Sequence, residues 1–260
     1  MQRLHFDDIT MRYSSEDGKG TLALDGLSFS VEKGESVAII GPSGCGKSST
    51  LQMAAGLLQP TSGSVTIDGA PVTAPRQDTS LILQDFGLLP WKTVRDNAEL
   101  GLKIHGVGKA ERRQRAERAL GLVGLQDFAQ AYPSGLSGGM RQRLALARSL
   151  ALDVDLLLMD EPLSALDALL REQLQDTLLA LWQAQGYAQI LVTHSIEEAV
   201  FLGQRILVLT PRPGRVIAVV DNPDVGCEDY RGSDAFFERC TDIRKKLRAA
   251  VEAAKEASHA

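Results

Sequence analysis

The fold is decided by residues 36–57, which read SVAIIGPSGCGKSSTLQMAAGL. The apolar run Ser36 to Ile40 predicts a buried strand, and Ser48 to Leu57 predicts a helix. Between them, residues 41–48 fit the pattern G-x-x-x-x-G-K-[ST], in which glycines let the backbone wrap around phosphate and the helix N-terminus supplies N–H donors. In this pattern Lys47 reaches the β and γ phosphates and Ser48 binds Mg²⁺. A glycine-rich turn without a ligand is the alternative, and Cys45 stands at a free position of the pattern.

Strands and helices alternate on both sides of this stretch. Short apolar or alternating runs predict strands at 4–9, 22–31, 36–40, 64–67, 80–83, 155–159, 189–193 and 205–209. Helical periodicity is found at 109–122, 141–152 and 169–183. Strands that alternate with helices predict an α/β fold in which helices cover a parallel sheet. Beyond residue 220 a linker and an amphipathic helix, 236–257, predict an appendage that packs on the domain or pairs with a partner.

The composition is that of an ordinary globular protein. Of 260 residues, 44% are hydrophobic and 23% charged, and the net charge of −5 argues against a nucleic-acid binder. Three cysteines without a CxxC pair indicate neither a disulfide framework nor a zinc site and favour a reducing cytoplasm. No stretch reaches the roughly 18 apolar residues of a membrane helix, so we expect no membrane span.

Two adjacent acids end the apolar run that precedes Pro162. Asp160 and Glu161 follow four apolar residues, at the strand end where ligands bind in such sheets. Successive strand residues point in different directions, so Asp160 can face Mg²⁺ while Glu161 faces an attacking water. Residues 137–139, Ser-Gly-Gly, form a second glycine-rich helix N-terminus that could bind phosphate.

With Leu136-Ser137-Gly138-Gly139-Met140, the sequence resembles the ATP-binding subunits of ABC transporters, whose signature is LSGG, usually followed by Gln. Seven features match in order over about residues 3–220. They are Tyr13, the phosphate loop, Gln84, the signature, Asp160-Glu161, the loop 164–167 and His194. Met140 in place of Gln, and Gly135 before the signature, depart from the usual pattern, and we expect activity to survive both.

The resemblance implies a P-loop, RecA-like ABC ATPase core at about 34–90 and 153–220. It also implies an antiparallel β subdomain from the N-terminal strands and a helical signature subdomain near 91–150. The ATP-binding domain would span 1–220, leaving 221–260 as a linker and helix. Two such chains would form a head-to-tail dimer with two ATP molecules between the phosphate loop of one and the signature of the other.

The resemblance also implies a role for each motif residue. Tyr13 would stack on adenine, and Asp167 would link the two sites across the dimer. The residues implied to hold ATP are Tyr13, Gly41, Pro42, Ser43, Gly44, Cys45, Gly46, Lys47, Ser48, Ser49, Leu136, Ser137, Gly138, Gly139 and Asp167. Those implied at Mg²⁺ are Ser48, Gln84 and Asp160, and those implied in catalysis are Glu161, His194 and Gln84. Taken alone, Tyr13 would be a surface aromatic, Gln84 a polar loop residue and His194 a structural histidine.

Three functions compete: an importer subunit, an exporter subunit and a soluble ABC-type ATPase. The last would normally carry a coiled-coil insertion, a tandem nucleotide site or a basic face, and none is found in the sequence. Import is favoured because residues 89–97, 132–134, 136–143 and 211–215 resemble the nitrate, sulfonate and taurine branch of bacterial importers. That branch implies a dimer of this chain or a paired ATPase subunit, separate permease subunits and an extracytoplasmic substrate-binding protein. The chain would then lie at the cytoplasmic face of the membrane, peripheral through its permeases.

A run of large apolar residues follows Gln84. The run, Phe86, Leu88, Leu89 and Trp91, predicts that the permease docks along about residues 84–94. The alternative is that all four side chains fill the core of the helical subdomain.

Overall fold

The computed structural model describes residues 2–14 and 20–259 as two β-sheets with α-helices packed around them. The strands are β1 (Gln2–Tyr13), β2 (Thr21–Glu32), β3 (Ser36–Ile40), β4 (Ser62–Ile67), β5 (Ala70–Pro71), β6 (Thr79–Ile82), β7 (Leu156–Asp160), β8 (Ala188–Thr193), β9 (Arg205–Leu209) and β10 (Val216–Asp221). The α-helices are α1 (Lys47–Ala54), α2 (Val94–Ala98), α3 (Leu100–Ile104), α4 (Lys109–Leu122), α5 (Gly138–Leu150), α6 (Ala168–Gln185), α7 (Ile196–Leu202) and α8 (Asp234–His259). Within the described ranges, no helix combines the length and apolarity needed to cross a bilayer.

The larger sheet has the strand order β10-β9-β3-β8-β7-β6. Its strands are parallel except β10, which is antiparallel to β9. Every residue of β3, β7 and β8 is buried, as expected of strands covered on both faces. Alternate residues of β3 enter different cores, Ala38 and Ile40 on one face and Val37 and Ile39 on the other. The carboxyl ends of β3, β7 and β8 therefore meet at one edge of the sheet.

The smaller sheet is antiparallel, with the order β2-β1-β4-β5. Phe6 of β1 stacks on Phe29 of β2, with ring centroids 4.4 Å apart. Phe6 shares a hydrophobic core with Val37 of β3 and Leu51 of α1. This shared core fixes the end of β1, and with it Tyr13, relative to the first turn of α1.

Helices α2 to α5 pack on one another beside the larger sheet. Helix α5 buries Leu144 and Leu146 in the core that also takes Ala38 and Ile40. The short helix α2 begins with a capping box between Thr93 and Asp96. Its buried Asn97 accepts a hydrogen bond from the Leu89 amide and donates to the carbonyls of Leu89, Lys92 and Thr93.

The C-terminal residues pack onto the larger sheet. Helix α8 contacts α7 and β9 and buries Phe236, Cys240 and Ile243. The buried Asn222 amide donates to the carbonyls of Val200 and Gly203 at 2.7 and 2.8 Å. These contacts tie the chain after β10 to the end of α7.

Candidate functional site

The phosphate loop connects β3 to α1. Gly46 has φ 95°, and a Cβ there would lie 2.5 Å from a methyl carbon of Leu24. Gly44 has φ +77° and open space where a Cβ would stand, so its backbone is accessible to a ligand. The Lys47 ammonium is buried and donates to the carbonyl oxygens of Gly41 and Pro42 at 2.8 and 2.9 Å. The loop thus presents backbone N–H groups, a helix N-terminus and a cation at one place.

Cys45 lies inside this loop and is fully buried. Burial raises the pKa of its thiol, and nearby Lys47 only partly opposes the shift. A buried thiol that stays protonated is a poor nucleophile, so Cys45 acts here as a small packing residue.

Asp160 is the last residue of β7 and faces the start of α1. Its carboxylate accepts a hydrogen bond from the Ser48 hydroxyl, and burial raises its pKa. Its buried Oδ1 has no hydrogen-bond partner among the described residues. An unpartnered buried carboxylate oxygen beside a hydroxyl is the donor set that Mg²⁺ takes together with phosphate oxygens. Asp160 and Ser48 therefore fit a magnesium ion, which when bound would neutralise phosphate charge.

Glu161 follows β7 with φ 48°, in the left-handed region that non-glycine residues rarely adopt. Three contacts hold this conformation. The Glu161 amide donates to the Val192 carbonyl at 2.9 Å, and the Glu161 carbonyl accepts from Gln142 at 3.0 Å and from the Ser164 hydroxyl at 3.1 Å. The carboxylate is left at the cavity wall, where it can accept a proton from water.

His194 follows the end of β8 and lies against this carboxylate. Its Nδ1 is 3.3 Å from Glu161 Oε2, and its side chain is 62% exposed. The turn that carries it is anchored from α7, since Thr193 donates to the buried carboxyl of Glu198 and Ser195 caps the Glu198 amide. Burial raises the pKa of Glu198 to about 7.

A cavity of about 310 Å³ joins these elements. Tyr13 is part of its wall, and the Tyr13 hydroxyl lies 2.8 Å from Ser49 Oγ. Gln84 and Glu161 line the same cavity together with the phosphate loop. The lining residues are Tyr13, Thr21, Ala23, Ser43, Gly44, Gly46, Lys47, Ser48, Ser49, Gln84, Glu161 and Arg212. An aromatic, a phosphate cradle and a carboxylate around one cavity suit a nucleoside triphosphate and the hydrolysis of its terminal phosphate.

The signature residues lie outside that cavity. Ser137 caps α5 by accepting from the Met140 amide at 3.3 Å, and Gly138 and Gly139 form the first turn. Asp167 caps α6, accepting from the Leu170 amide at 3.0 Å. The two loops touch, because a Cβ on Gly139 would lie 3.3 Å from the Ala165 carbonyl oxygen. Neither cap is among the residues that line the cavity.

Helix α5 carries two residues to which the sequence assigned no role. Gln142 is buried and connects α5 to the loop after β7, accepting from the Ala165 amide at 2.9 Å and donating to the Glu161 carbonyl. Arg148 donates to the carbonyls of Phe86 and Gly87 at 2.8 and 2.6 Å, just beyond Gln84. Burial lowers the pKa of Arg148, and Asp85 partly opposes the shift. Arg141 and Arg143 flank Gln142 in the sequence and suggest a helix face exposed to solvent. The buried contacts of Gln142 and Arg148 could therefore not be predicted from the sequence.

The apolar run after Gln84 is divided between core and surface. Phe86 and Leu88 are partly buried and pack against the core, whereas Trp91 is 69% exposed. A groove of about 630 Å³ runs beside Gln84 and is lined by Ser48, Gln52, Leu57, Leu83, Gln84, Asp85 and Asp160.

Comparison with known proteins places these features in one family. The ABC transporter family model matches residues 24–164. A taurine import ATP-binding protein, TauB, of Rhizobium johnstonii is 48% identical over 218 residues, which cover 84% of this chain and 83% of that protein. TauB of Burkholderia pseudomallei is 49% identical over 84% of each chain.

The solved dimer of a bacterial ABC transporter cassette is 33% identical to this chain and superposes with a TM-score of 0.78. The match covers 84% of this chain and 98% of that one. A related solved structure holds ADP and Pi in a post-hydrolysis state, with the same coverage and identity. The phosphate loop, the acid pair, the signature and this likeness agree, and the chain belongs to the ABC transporter ATP-binding family.

Proposed function

We propose that this chain is the ATP-hydrolysing subunit of an ABC importer for small sulfonate-type solutes such as taurine. The observation that carries the proposal is the cavity in which the phosphate loop, Gln84 and Glu161 meet. The taurine import relatives support the direction and the solute class, because their identity extends over most of both chains. An exporter subunit and a soluble ABC-type ATPase are the alternatives.

Each motif residue takes a role that its surroundings support. Tyr13 stacks on adenine, and the backbone of residues 41–49 holds the phosphates together with Lys47. Asp160 and Ser48 bind Mg²⁺, since the buried Oδ1 of Asp160 lacks a protein partner among the described residues. Glu161 removes the proton from the attacking water, and His194 contacts the γ-phosphate beside it.

The signature acts on a second copy of the chain. The helix N-terminus formed by Ser137, Gly138 and Gly139 does not line the chain's own cavity, which already has a complete phosphate cradle. A head-to-tail pair brings each signature onto the nucleotide of the other subunit, with the Asp167 loop between the two sites. The dimeric cassette among the similar structures supports this arrangement.

The permease docks along the groove beside Gln84. Trp91 is the exposed aromatic of the segment that follows, and Leu57 of the groove is 57% exposed. Exposed aromatic and aliphatic side chains around a groove suit an apolar helix end of a membrane subunit. Through such permeases the chain is held at the cytoplasmic face of the membrane, with an extracytoplasmic binding protein delivering the solute.

Glu161→Gln tests the ATPase. The amide keeps the shape of the side chain but cannot accept a proton, so we expect MgATP binding to persist while turnover falls at least a hundredfold. The bound variant accumulates as a dimer on size-exclusion chromatography with MgATP. Turnover at the wild-type rate would remove Glu161 from the role of base.

Transport is tested by co-expressing the chain with permease subunits from the same genome. The complex is placed in proteoliposomes with the binding protein outside and MgATP inside. Labelled taurine should accumulate inside, and this uptake should require ATP. Trp91→Asp should lower co-purification with the permeases and leave ATP binding unchanged. Trp182→Phe, a change at a buried residue of α6, serves as the control. Efflux of taurine would favour the exporter subunit. Failure to associate with any permease would favour the soluble ATPase.

A further inference from the structure

The loop between β9 and β10, residues 210–215, is a closed turn. The Thr210 amide donates to the Arg215 carbonyl at 2.9 Å, and the Thr210 hydroxyl donates to the Pro213 carbonyl at 2.8 Å. The Arg215 amide donates back to the Thr210 hydroxyl at 2.9 Å. These bonds fix the position of Arg212 at the tip between them.

The same loop is docked against β2 and the phosphate loop. The Gly214 amide donates to the Ala23 carbonyl at 2.8 Å, and the Asp25 amide donates to the Gly214 carbonyl at 3.2 Å. A Cβ on Gly214 would lie 2.0 Å from the Cys45 carbonyl oxygen, so the two backbones are in direct contact. The turn and the phosphate loop are therefore held in a fixed relation.

Arg212 brings a second cation to the nucleotide cavity. It lines the cavity together with Lys47, whose ammonium is already bonded to carbonyls of its own loop. Arg215, three residues along, is paired with Asp25. Among residues 2–14 and 20–259, no hydrogen bond or ion pair engages the Arg212 guanidinium. A free guanidinium at the wall of a cavity suited to a polyanion is available to that polyanion.

We propose that Arg212 is a nucleotide-binding residue whose guanidinium contacts the phosphate chain of the bound nucleotide. The inference rests on the proposed function and gives a nucleotide contact to residues 211–215, a stretch to which the sequence assigned no part in ATP binding. The phosphates are favoured over the base because the turn packs on Cys45, within the phosphate loop, and because a guanidinium forms charged hydrogen bonds with phosphate oxygens.

The test measures MgADP affinity by displacement of a fluorescent nucleotide, so that hydrolysis does not enter. We compare the wild type with Arg212→Gln, Arg212→Lys and Arg215→Gln, the last a matched loss of charge in the same turn but outside the cavity lining. Arg212→Gln should weaken binding roughly three- to fivefold, the upper part of the range for an exposed charge pair. Arg212→Lys and Arg215→Gln should stay within about twofold, and the Arg212→Gln defect should shrink in high salt.

Three results would overturn the proposal. Unchanged affinity in Arg212→Gln would mean that the guanidinium is not a ligand. An equal, salt-independent loss in Arg212→Lys would assign the contact to the planar face of the guanidinium on the base. An equal loss in Arg215→Gln would assign it to the shape of the turn. Failure of the wild-type chain to bind MgADP would instead refute the proposed function, and thermal unfolding checks that each variant is folded.

Discussion

Replacing Gln142 with leucine removes the connection between α5 and the loop that carries Glu161. The wild-type amide donates to the Glu161 carbonyl at 3.0 Å and accepts from the Ala165 amide at 2.9 Å. A leucine of similar size fills the space and satisfies neither backbone group. At about 1 kcal/mol for each bond, and more where a group is left unpaired, the expected loss of stability is about 2–3 kcal/mol. For a chain of this length that lowers the melting temperature by roughly 4–10 °C.

The same change should lower turnover more than it lowers binding. Glu161 is held at φ 48°, and the Gln142 bond is one of the contacts that keep it there. A carboxylate displaced by about 1 Å loses on the order of a hundredfold in rate, so we expect kcat to fall at least tenfold. Affinity for MgADP should stay within about twofold, because Gln142 is not among the residues that line the cavity.

The assay combines steady-state ATP hydrolysis, nucleotide binding and thermal unfolding. Gln175→Leu is the matched control, since Gln175 is also a buried helical glutamine, accepts a hydrogen bond from Arg231 and does not line the cavity. It should lose stability without losing kcat. If Gln142→Leu keeps the turnover of the control, or loses affinity in proportion to kcat, the idea that Gln142 positions Glu161 is refuted.

The remaining predictions concern the cation of the phosphate loop, the signature and a buried carboxyl. Lys47→Ala should weaken MgADP binding and hydrolysis together, because it deletes a charge that acts on the phosphates before and during the reaction; full activity would refute the phosphate-loop assignment. Mixing Lys47→Ala with Ser137→Arg chains should restore some hydrolysis, since each mixed dimer has one intact composite site; no recovery in verified heterodimers would contradict independent sites paired in trans. Burial raises the pKa of Glu198 from 4.5 to about 7, so the folded state keeps a proton that the unfolded state releases, and stability falls as pH rises through this window. Glu198→Gln should flatten that fall by up to about 1.4 kcal/mol per pH unit in urea unfolding; parallel pH profiles would show that Glu198 does not titrate there.

The sequence predicts those helices and strands whose own pattern of apolar residues shows which face is buried. The predicted bounds of β3, at 36–40, and of α4, at 109–122, agree with the structure. Helical periodicity predicts no helix at 94–104, where α2 and α3 form, and only the family resemblance implies a helical subdomain there. These two helices have five residues each, too few for a periodic signal, and Asn97 and the Thr93 capping box fix the first of them.

The residues of the candidate site also fall into those that the sequence predicts and those that only the structure shows. The acid pair and His194 are recognisable because they stand at the end of a buried strand, and the phosphate loop, the signature and Asp167 because they stand at a helix N-terminus. Arg212 and Gln142 are not, since their surroundings are set by tertiary contacts: the pairing of β9 with β3 brings the 210–215 turn to the phosphate loop, and the packing of α5 brings Gln142 to Glu161. The roles of the motif residues stay predictions until the variants above are measured.

Helix α5 connects three functional segments of the chain through one rigid element. Its first turn is the signature, its middle is tied through Gln142 to the Glu161 loop, and its last turn is tied through Arg148 to residues 86–87. Thirteen helical residues form a rod about 20 Å long that does not stretch. In the proposed dimer the first turn of α5 meets the opposite subunit, so a displacement of residues 86–87 would pass through the rigid helix to the dimer interface.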